Sequence, residues 1–238
     1  MSILHKKNPL RSPPSYQDDP QSELLTLLIE LHHTSQENKQ DIINKISLLS
    51  NKISYLQNYP KNPSSFWNAE SFMWTYKIDK DTRQQITLLL QNHLPKDITP
   101  LDLGCGAYSY IPSIGFDISP KMLDLNDNLK EKIMGDIEQP LPCQTNFHQA
   151  ITAIFLLNYI TNLNQLLTEI NRILTKNGTF IIILSKSPIN EYHQIQQKQT
   201  HTQEQWQTIL QQHFNVTTNH QEDLLIFICK KKETPKTL

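Results

Sequence analysis

Two glycines and an aspartate stand where two short apolar runs end, and their spacing fits a ligand-binding turn. Gly104 and Gly106 follow the run LDL, and Asp117 ends the run SIGF. The chain has only five glycines in 238 residues, so two of them in one turn indicate that a ligand approaches the backbone there. A carboxylate beside such a turn accepts both hydroxyls of a ribose. The pattern therefore predicts a site for a nucleoside-containing ligand.

Two classes of ligand carry such a ribose, and they are NAD-type dinucleotides and S-adenosylmethionine. A dinucleotide site needs Gly-x-Gly-x-x-Gly, in which the third glycine lets a helix pack closely and the helix N-terminus faces a pyrophosphate. Here the third position is Ser109, and only about ten residues separate Gly106 from Asp117, against the usual distance of about 20. Since a phosphate-binding helix has almost no room, the spacing favours the sulfonium ligand.

The elements that must hold this turn alternate between strands and helices from residue 100 onward. Apolar runs predict five strands, in PLDLGCG, SIGFDIS, KIMGDI, QAITAIFLL and TFIIILS. NQLLTEINRILTK and THTQEQWQTILQQH predict helices, the first capped by Asn177-Gly178 and the second by Thr202. FNVTT and DLLIFICKK predict a closing antiparallel pair. We therefore expect a Rossmann-like α/β fold, a doubly wound and mostly parallel sheet with an antiparallel C-terminal strand and a helical N-terminal extension.

Four stretches, in this order, carry a resemblance to a known family: LDLGCG, GFDISPKML, GDIEQPLPC and RILTKNGTFIII. Together they resemble a class I S-adenosylmethionine-dependent methyltransferase of the kind that acts on small molecules. The resemblance covers about residues 66–230. It implies methyl transfer from S-adenosylmethionine to an O or N atom of a small-molecule acceptor, by in-line displacement at the sulfonium.

The resemblance implies that the glycine turn holds the methionine end and the ribose of the cofactor. Asp102 and the backbone of Gly104, Cys105 and Gly106 would hold the methionine end, and Asp117 would bind the ribose. The chain departs from the family pattern in this turn, because Tyr108 stands where relatives have a third glycine.

The same resemblance implies which residues contact the adenine and which face the acceptor. Ile118 would lie against adenine, and Asp136 would meet the adenine amino group with Ile137 beside it. The segment that begins with Phe155 and Leu156 would flank the cofactor and face the acceptor.

No catalytic residue is assigned, because methyl transfer needs a general base only if the acceptor must lose a proton. The candidate bases are His148 and His193, and the candidate acceptor contacts are Tyr108, Tyr110 and Tyr159. Relatives commonly read Phe-Asp where this chain reads Phe147-His148, so no role of that acid is carried over.

The first 65 residues and the aromatic segment after them lie outside the motifs. Residues 1–20 are predicted to be a disordered leader, residues 21–60 a helical extension and residues 66–232 the cofactor-binding domain. Heptad spacing of Ile42, Ile46, Leu49, Ile53 and Leu56 fits either a helix packed on the main domain or a homodimer seam. The aromatic segment Phe66–Tyr76 either fastens a helix to the core or closes over a pocket as a lid.

Composition limits the remaining classes of function. A net charge of −1 disfavours nucleic acid, because phosphate contacts need clustered Lys and Arg. Three widely spaced cysteines argue against a disulfide framework or a metal site, and no run predicts a signal peptide or a membrane span. We expect a cytoplasmic methyltransferase, with a catalytically inactive interaction scaffold as the alternative.

Overall fold

The computed structural model describes residues 19–34, 36–187, 193, 196–221 and 223–232. The chain divides into two compact units, residues 1–65 and 66–238. The leader predicted over residues 1–20 lies outside the described residues except for Asp19 and Pro20, which begin the first helix.

The N-terminal unit contains two helices that pack on each other. Helix α1 spans Pro20–His33, and the Asp19 side chain accepts hydrogen bonds from the backbone at its N-terminus. Helix α2 spans Gln36–Ser50 and is followed by a 3-10 turn, Ser54–Leu56. The heptad residues are all buried, but Ile53 and Leu56 lie beyond the end of α2, so the heptad spacing does not continue along one helix.

The second unit is built on one seven-stranded sheet. Its strands are β1 Leu101–Leu103, β2 Ser113–Asp117, β3 Leu129–Met134, β4 His148–Ile154, β5 Leu174–Ser185, β6 Phe214–Gln221 and β7 Leu224–Lys231. The strand order is β3-β2-β1-β4-β5-β7-β6. Strands β1 to β5 pair in parallel, and β7 is antiparallel to both β5 and β6. The predicted fold class is confirmed, and the carboxyl ends of β1, β2 and β4 meet at one edge.

Alternate residues of the central strands point to opposite faces of the sheet, as the pleat requires. From β5, Phe180 and Ile182 join the core on one face, and Ile181 and Ile183 join the core on the other. Both faces are therefore covered, which explains why these strands read as continuous apolar runs.

The helices of this unit are α3 Pro63–Lys77, which begins in the N-terminal unit, α4 Lys80–His93, α5 Pro120–Leu125, α6 Leu163–Ile173 and α7 Gln203–His213. Helix α6 buries its apolar side chains at helical spacing. The predicted cap of α7 is confirmed, because Thr202 and Gln205 form a capping box. No helix among the described residues has the length and apolar character to cross a membrane.

The predicted cap of α6 is wrong. The helix ends at Ile173, and β5 begins at the next residue. The Asn177-Gly178 pair lies inside β5, where the register with β4 shifts between His148 and Ala150. Pairing with β4 therefore begins before the Asn-Gly pair, and extra residues of β5 are accommodated in the irregularity.

Candidate active site

The glycine turn and the carboxylate of Asp117 form one hydrogen-bonded unit at the end of β1 and β2. Gly104 and Gly106 both have left-handed backbone, with φ of +60° and +59°. Asp117 Oδ2 accepts from the Gly106 N–H at 2.9 Å, and Oδ1 accepts from the Ser119 N–H at 2.8 Å. A third backbone hydrogen bond, from Ile118, also reaches this carboxylate. A carboxylate has about four acceptor positions, so about one remains for a ligand hydroxyl.

Burial raises the pKa of both acids at this edge, Asp117 and Asp102. Desolvation raises the pKa of Asp117 to about 6, although hydrogen bonds from the backbone partly oppose the rise. Asp102 is also buried, and desolvation raises its pKa to about 6. Asp102 Oδ2 accepts from Ser109 Oγ and Oδ1 accepts from Thr152 Oγ1, each at 2.7 Å. Two hydroxyl groups of the chain therefore already hold the acid that was predicted to face the methionine end.

The connection from β1 to β2 contains no helix, and side-chain hydrogen bonds hold it instead. Asn126 Nδ2 donates to the Gly106 carbonyl at 2.9 Å, and Asn126 Oδ1 accepts from the Ser109 N–H at 3.3 Å. Asn128 Nδ2 donates to the Ser109 carbonyl at 2.7 Å. Cys105 is buried beneath the turn, and its backbone N–H donates to the Phe116 carbonyl at 3.3 Å. The sequence analysis missed Asn126, which only the folded loop brings to the turn.

The adenine-side residues lie on the neighbouring strand ends. The Gly135 N–H donates to the Asp117 carbonyl at 3.0 Å, which brings the end of β3 beside the end of β2. Asp136 follows directly and is exposed, whereas Ile118 and Ile137 are half-buried. Two carboxylates and two apolar side chains at adjacent strand ends fit the ribose and the base of an adenosine.

The end of β4 turns sharply toward the same edge. Phe155 has a φ of +56°, which is a rare conformation for an aromatic residue and is found at functional turns. Its N–H donates to the Ile183 carbonyl at 2.7 Å. This turn sends the half-buried Leu156 toward Gly104.

Protein side chains lie directly over both glycines. A Cβ built on Gly104 would be 2.6 Å from Leu156 Cδ1, and a Cβ built on Gly106 would be 3.0 Å from Trp74 Nε1. The space that the sequence assigned to a ligand is therefore filled here by Leu156 and Trp74. The acids and apolar side chains of this edge match the ribose hydroxyls and the base of an adenosine, whereas Leu156 and Trp74 occupy the space over the glycines that the methionine half would need.

Behind Trp74 lies a buried polar cluster, which we define as Glu70, Lys77, Tyr159 and His193. Trp74 stacks on His193 with ring centroids 6.0 Å apart. Glu70 Oε2 lies 2.6 Å from His193 Nε2 and bonds to the Lys77 ammonium, and the Tyr159 hydroxyl lies 2.9 Å from His193 Nδ1.

The polar cluster joins two of the predicted candidates and two residues that the sequence analysis missed. His193 and Tyr159 were singled out separately, whereas Glu70 and Lys77 were not. Spacing along α3 could have paired Glu70 with Lys77, but only the fold brings them to His193.

Three other candidates lie elsewhere. His148 begins β4 and pairs with Leu174, at the edge of the sheet opposite the glycine turn, so it is not part of this site. Tyr108 lies under the Arg83 guanidinium at 4.8 Å from the ring centre, and Tyr110 is buried in the core. Both tyrosines pack beside the turn and secure the helix-free loop.

Comparison with known proteins agrees with this fold. Residues 101–182 match the model of a family described as a methyltransferase domain. No curated protein matches the chain. Among solved structures, the fold resembles that of an S-adenosylmethionine-dependent methyltransferase from Thermotoga maritima, with 15% identity, a TM-score of 0.57 and coverage of 71% of this chain and 97% of that one.

Two further solved structures share the fold. One, from Haloferax volcanii, is described as a complex between the Trm112 methyltransferase activator and a proposed methyltransferase, with 16% identity, a TM-score of 0.58 and coverage of 70% of this chain and 98% of that one. The other is described as a DhpI complex with SAH, with 12% identity, a TM-score of 0.56 and coverage of 70% and 94%. At these identities the likeness shows the fold.

The matched model identifies a methyltransferase domain over residues 101–182, and the strand order agrees with the class I S-adenosylmethionine-dependent methyltransferase that the sequence predicts. Two features of this chain stand out in its structure, the helix-free loop after β1 and the polar cluster behind Trp74.

Proposed function

We propose that this enzyme transfers a methyl group from S-adenosylmethionine to an O or N atom of a small molecule. The observation that carries the proposal is the Asp117 carboxylate, which is fixed by the Gly106, Ile118 and Ser119 amides at the strand ends and retains an acceptor position for a ribose hydroxyl. When bound, the cofactor supplies an electrophilic methyl group on a positively charged sulfur, which the acceptor atom displaces in line.

In this proposal the cofactor residues divide between two ends of the ligand. Asp117 accepts the ribose hydroxyls, Ile118 and Ile137 contact the adenine, and Asp136 accepts from its amino group. The methionine end is assigned to Asp102 and to the backbone of the turn at residues 104–106, with Phe155 and Leu156 beside it. The chain contributes mainly alignment, and alignment alone can be worth about 7–11 kcal/mol.

A small acceptor is supported by the surroundings of the site. Trp67 and Tyr159 meet edge to face with ring centroids 5.0 Å apart, and Trp67 meets Trp74 in the same way at 5.9 Å. Aromatic walls of this kind suit a small organic molecule. The near-neutral net charge favours a small molecule over nucleic acid, which needs clustered Lys and Arg.

Cofactor binding tests the proposal without knowledge of the acceptor. Isothermal titration of the full chain with S-adenosylmethionine should give saturable binding, and titration with NAD should give none. Asp117→Asn should weaken binding about 10- to 100-fold, because hydrogen bonds to a charged group contribute about 1.5–3 kcal/mol. Asp97→Asn, an exposed carboxylate before β1, is the matched control and should bind like the wild type.

The alternative is an interaction scaffold, and the filled space over Gly104 and Gly106 is the observation in its favour. If the wild type binds neither ligand, the proposal of methyl transfer is overturned and the scaffold is favoured.

The remaining proposals concern organisation and assembly. We assign residues 66–232 to the cofactor-binding domain, residues 21–60 to a helical extension, and the chain to the cytoplasm, where its three free thiols would persist.

A homodimer through the N-terminal helices would use the exposed Leu25, Ile29 and Leu48, because the heptad side chains are buried. Leu25→Glu with Ile29→Glu should then halve the mass measured by light scattering, and an unchanged mass would contradict the dimer.

A further inference from the structure

A second cavity lies at the edge of the sheet opposite the glycine turn. It has a volume of about 650 Å³, which is within the range of about 300–1,000 Å³ that is typical of small-molecule sites. Gln149 lines the cavity and is the second residue of β4, whereas Phe155 follows the end of that strand. Six residues of strand span about 20 Å at about 3.3 Å per residue, so this cavity is separate from the cofactor edge.

An irregular part of β5 forms one wall of the cavity. Two steps along β4, from His148 to Ala150, stand against five steps along β5, from Leu174 to Thr179. The extra residues bulge out of the pairing with β4, and three of them in succession line the cavity: Thr175, Lys176 and Asn177. Bulges re-aim side chains and are common beside functional sites.

A buried hydroxyl that lines the cavity has a proton to donate. Thr179 is 3% exposed, and its Oγ1 accepts a hydrogen bond from the Lys230 ammonium at 2.5 Å. Within the described part of the chain, this hydroxyl has no other hydrogen-bond partner. Since buried polar groups are normally paired, the hydroxyl hydrogen of Thr179 calls for an acceptor in the cavity.

Two ammonium groups give the cavity a positive charge. Lys176 and Lys230 both line it, and neither forms an ion pair with a described carboxylate. The contact with Thr179 positions the Lys230 ammonium and uses one of its three hydrogens. No acid from the described residues lines the cavity, so its walls favour a negatively charged ligand.

The C-terminus of α4 lines the same cavity and acts in the opposite direction, because a helix C-terminus carries about half a negative charge. Two of its last carbonyls are already engaged. The Leu94 N–H donates to the Leu90 carbonyl, and His93 Nδ1 donates to the Leu89 carbonyl, each at 2.9 Å. The two whole charges of the lysines therefore outweigh the partial charge of the helix.

We propose that this cavity binds a phosphate group. A phosphate monoester carries a charge of about −1.5 to −2 near pH 7, which the two ammonium groups match. Its oxygens accept from Lys176, Lys230 and the Thr179 hydroxyl, and the amides of Gln149 and Asn177 supply further donors. The inference does not rest on the proposed methyl transfer, because the two sites share no residue.

The size of the cavity favours a phosphate carried by a small organic molecule over the free ion. A phosphate group fills only a small part of about 650 Å³. Leu94, Pro95 and Ile98 form an apolar part of the wall, and Asn92 adds an amide. The organic part of the ligand lies against these residues.

Titration calorimetry of the full chain tests the inference, in a phosphate-free buffer at constant ionic strength. Glycerol 3-phosphate should bind saturably, and glycerol, which lacks the phosphate, should not. Inorganic phosphate distinguishes the two sources of the group. Binding at least about tenfold weaker than that of glycerol 3-phosphate supports an organic phosphate, and equal binding supports the same site with the free ion as its ligand.

Three variants separate this site from general surface charge. Thr179→Val keeps the shape of the side chain but removes the buried hydroxyl, and Lys230→Met removes the ammonium beside it. Each should weaken binding of glycerol 3-phosphate about 10- to 100-fold, because each removes a hydrogen bond to a charged group. Lys80→Met is the matched control, because it removes an equal charge from the exposed start of α4, and it should bind like the wild type.

Three results would overturn the inference. The first is no saturable binding of either phosphate up to about 10 mM, a concentration that would fill even a millimolar site. The second is unchanged affinity in Thr179→Val, or equal losses in Lys80→Met and Lys230→Met, because general surface charge would then explain the binding. The third is competition with S-adenosylmethionine, which would place the phosphate at the cofactor edge.

Failure of the proposed function gives a different result. A chain that binds glycerol 3-phosphate through Thr179 and Lys230 but does not bind S-adenosylmethionine would overturn the methyl transfer and support the phosphate site. If both ligands bind, saturation with S-adenosylmethionine should leave the affinity for glycerol 3-phosphate within about twofold, since the two sites lie about 20 Å apart along β4.

Discussion

The two sides of the candidate site are built in different ways. The cofactor side consists of the glycine turn and acids that follow short strands, all between residues 102 and 137. The other side, which we name the acceptor side after the small acceptor proposed above, consists of the polar cluster of Glu70, Lys77, Tyr159 and His193, whose members lie up to 123 positions apart. The cofactor side can therefore be recognised as a motif, whereas the acceptor side exists only in the folded chain.

The carboxylates of the two sides also differ in their electrostatics. Asp117 is buried with hydrogen bonds from backbone amides, and desolvation raises its pKa to about 6. Glu70 is buried next to Lys77 and His193, which lower its pKa to about 2 despite burial. The charge of Asp117 is thus available to a ligand, whereas the charge of Glu70 is already balanced within the protein.

The largest expected effect comes from breaking this balance on the acceptor side. Glu70→Ala leaves Lys77 buried without its carboxylate partner, which typically costs about 3–5 kcal/mol. For a chain of this size the melting temperature should fall by about 6–20 °C. Scanning calorimetry of the wild type and the variant measures the difference.

A matched variant on the cofactor side should behave differently. Asp117→Asn removes a charge that burial already disfavours, so the melting temperature should change by no more than about 4 °C. Equal losses in the two variants would contradict the electrostatic difference between the two sides.

The sequence predicted the cofactor side because its information is local. The stretch LDLGCG places Gly104 and Gly106 directly after β1, and Asp117 ends the next strand, so strand order alone brings them together. Local chemistry also predicted the Thr202 cap of α7. The Asn177-Gly178 cap failed because pairing of β5 with β4 outweighed a local turn preference.

The acceptor side escaped prediction for the complementary reason. Nothing in the residues around Glu70 indicates a histidine partner 123 positions away. The aromatic segment was recognised, and the structure describes Trp67 and Trp74 within α3, whereas the side chain of Tyr76 lies outside the described residues. The contact of Trp74 with the glycine turn depends on how α3 docks, which composition and spacing do not encode.

The second prediction uses Trp74 and Trp67 to distinguish the cofactor side from the acceptor side. Trp74 lies over Gly106, whereas Trp67 contacts Trp74 and Tyr159. Trp74→Ala should tighten binding of S-adenosylmethionine about tenfold, because the indole no longer competes for the same space. Trp67→Ala should leave cofactor affinity within about twofold but raise the Michaelis constant for the small-molecule acceptor. Titration calorimetry and initial rates measure the two effects.

Weaker cofactor binding by Trp74→Ala would reverse the interpretation of this residue. The indole would then be a wall of the cofactor site, and its position over Gly106 would be part of the binding surface.

The third prediction concerns the pH dependence of cofactor binding. Ribose hydroxyls donate to the ionised form of Asp117, so binding favours that form and weakens as pH falls below about 6. If Asp117 alone titrates, affinity at pH 5 should be about tenfold lower than at pH 7.5. Glu70 stays ionised across this range, so the acceptor side should not contribute. A flat profile from pH 7.5 to 5, measured by titration calorimetry, would contradict the role of Asp117.

The smallest expected effect concerns His148, which the sequence offered as a base and the structure places at the opposite edge of the sheet. His148→Gln removes an imidazole that lies six residues along β4 from the site, a distance of about 20 Å at about 3.3 Å per residue. Cofactor affinity and the rate of methyl transfer should therefore both remain within about twofold of the wild type. His193→Gln provides the contrast, because it removes the same group from the polar cluster. A loss of methyl transfer in His148→Gln without a loss of cofactor affinity would mean that this edge also takes part in the reaction, and the division into a cofactor side and an acceptor side would no longer hold.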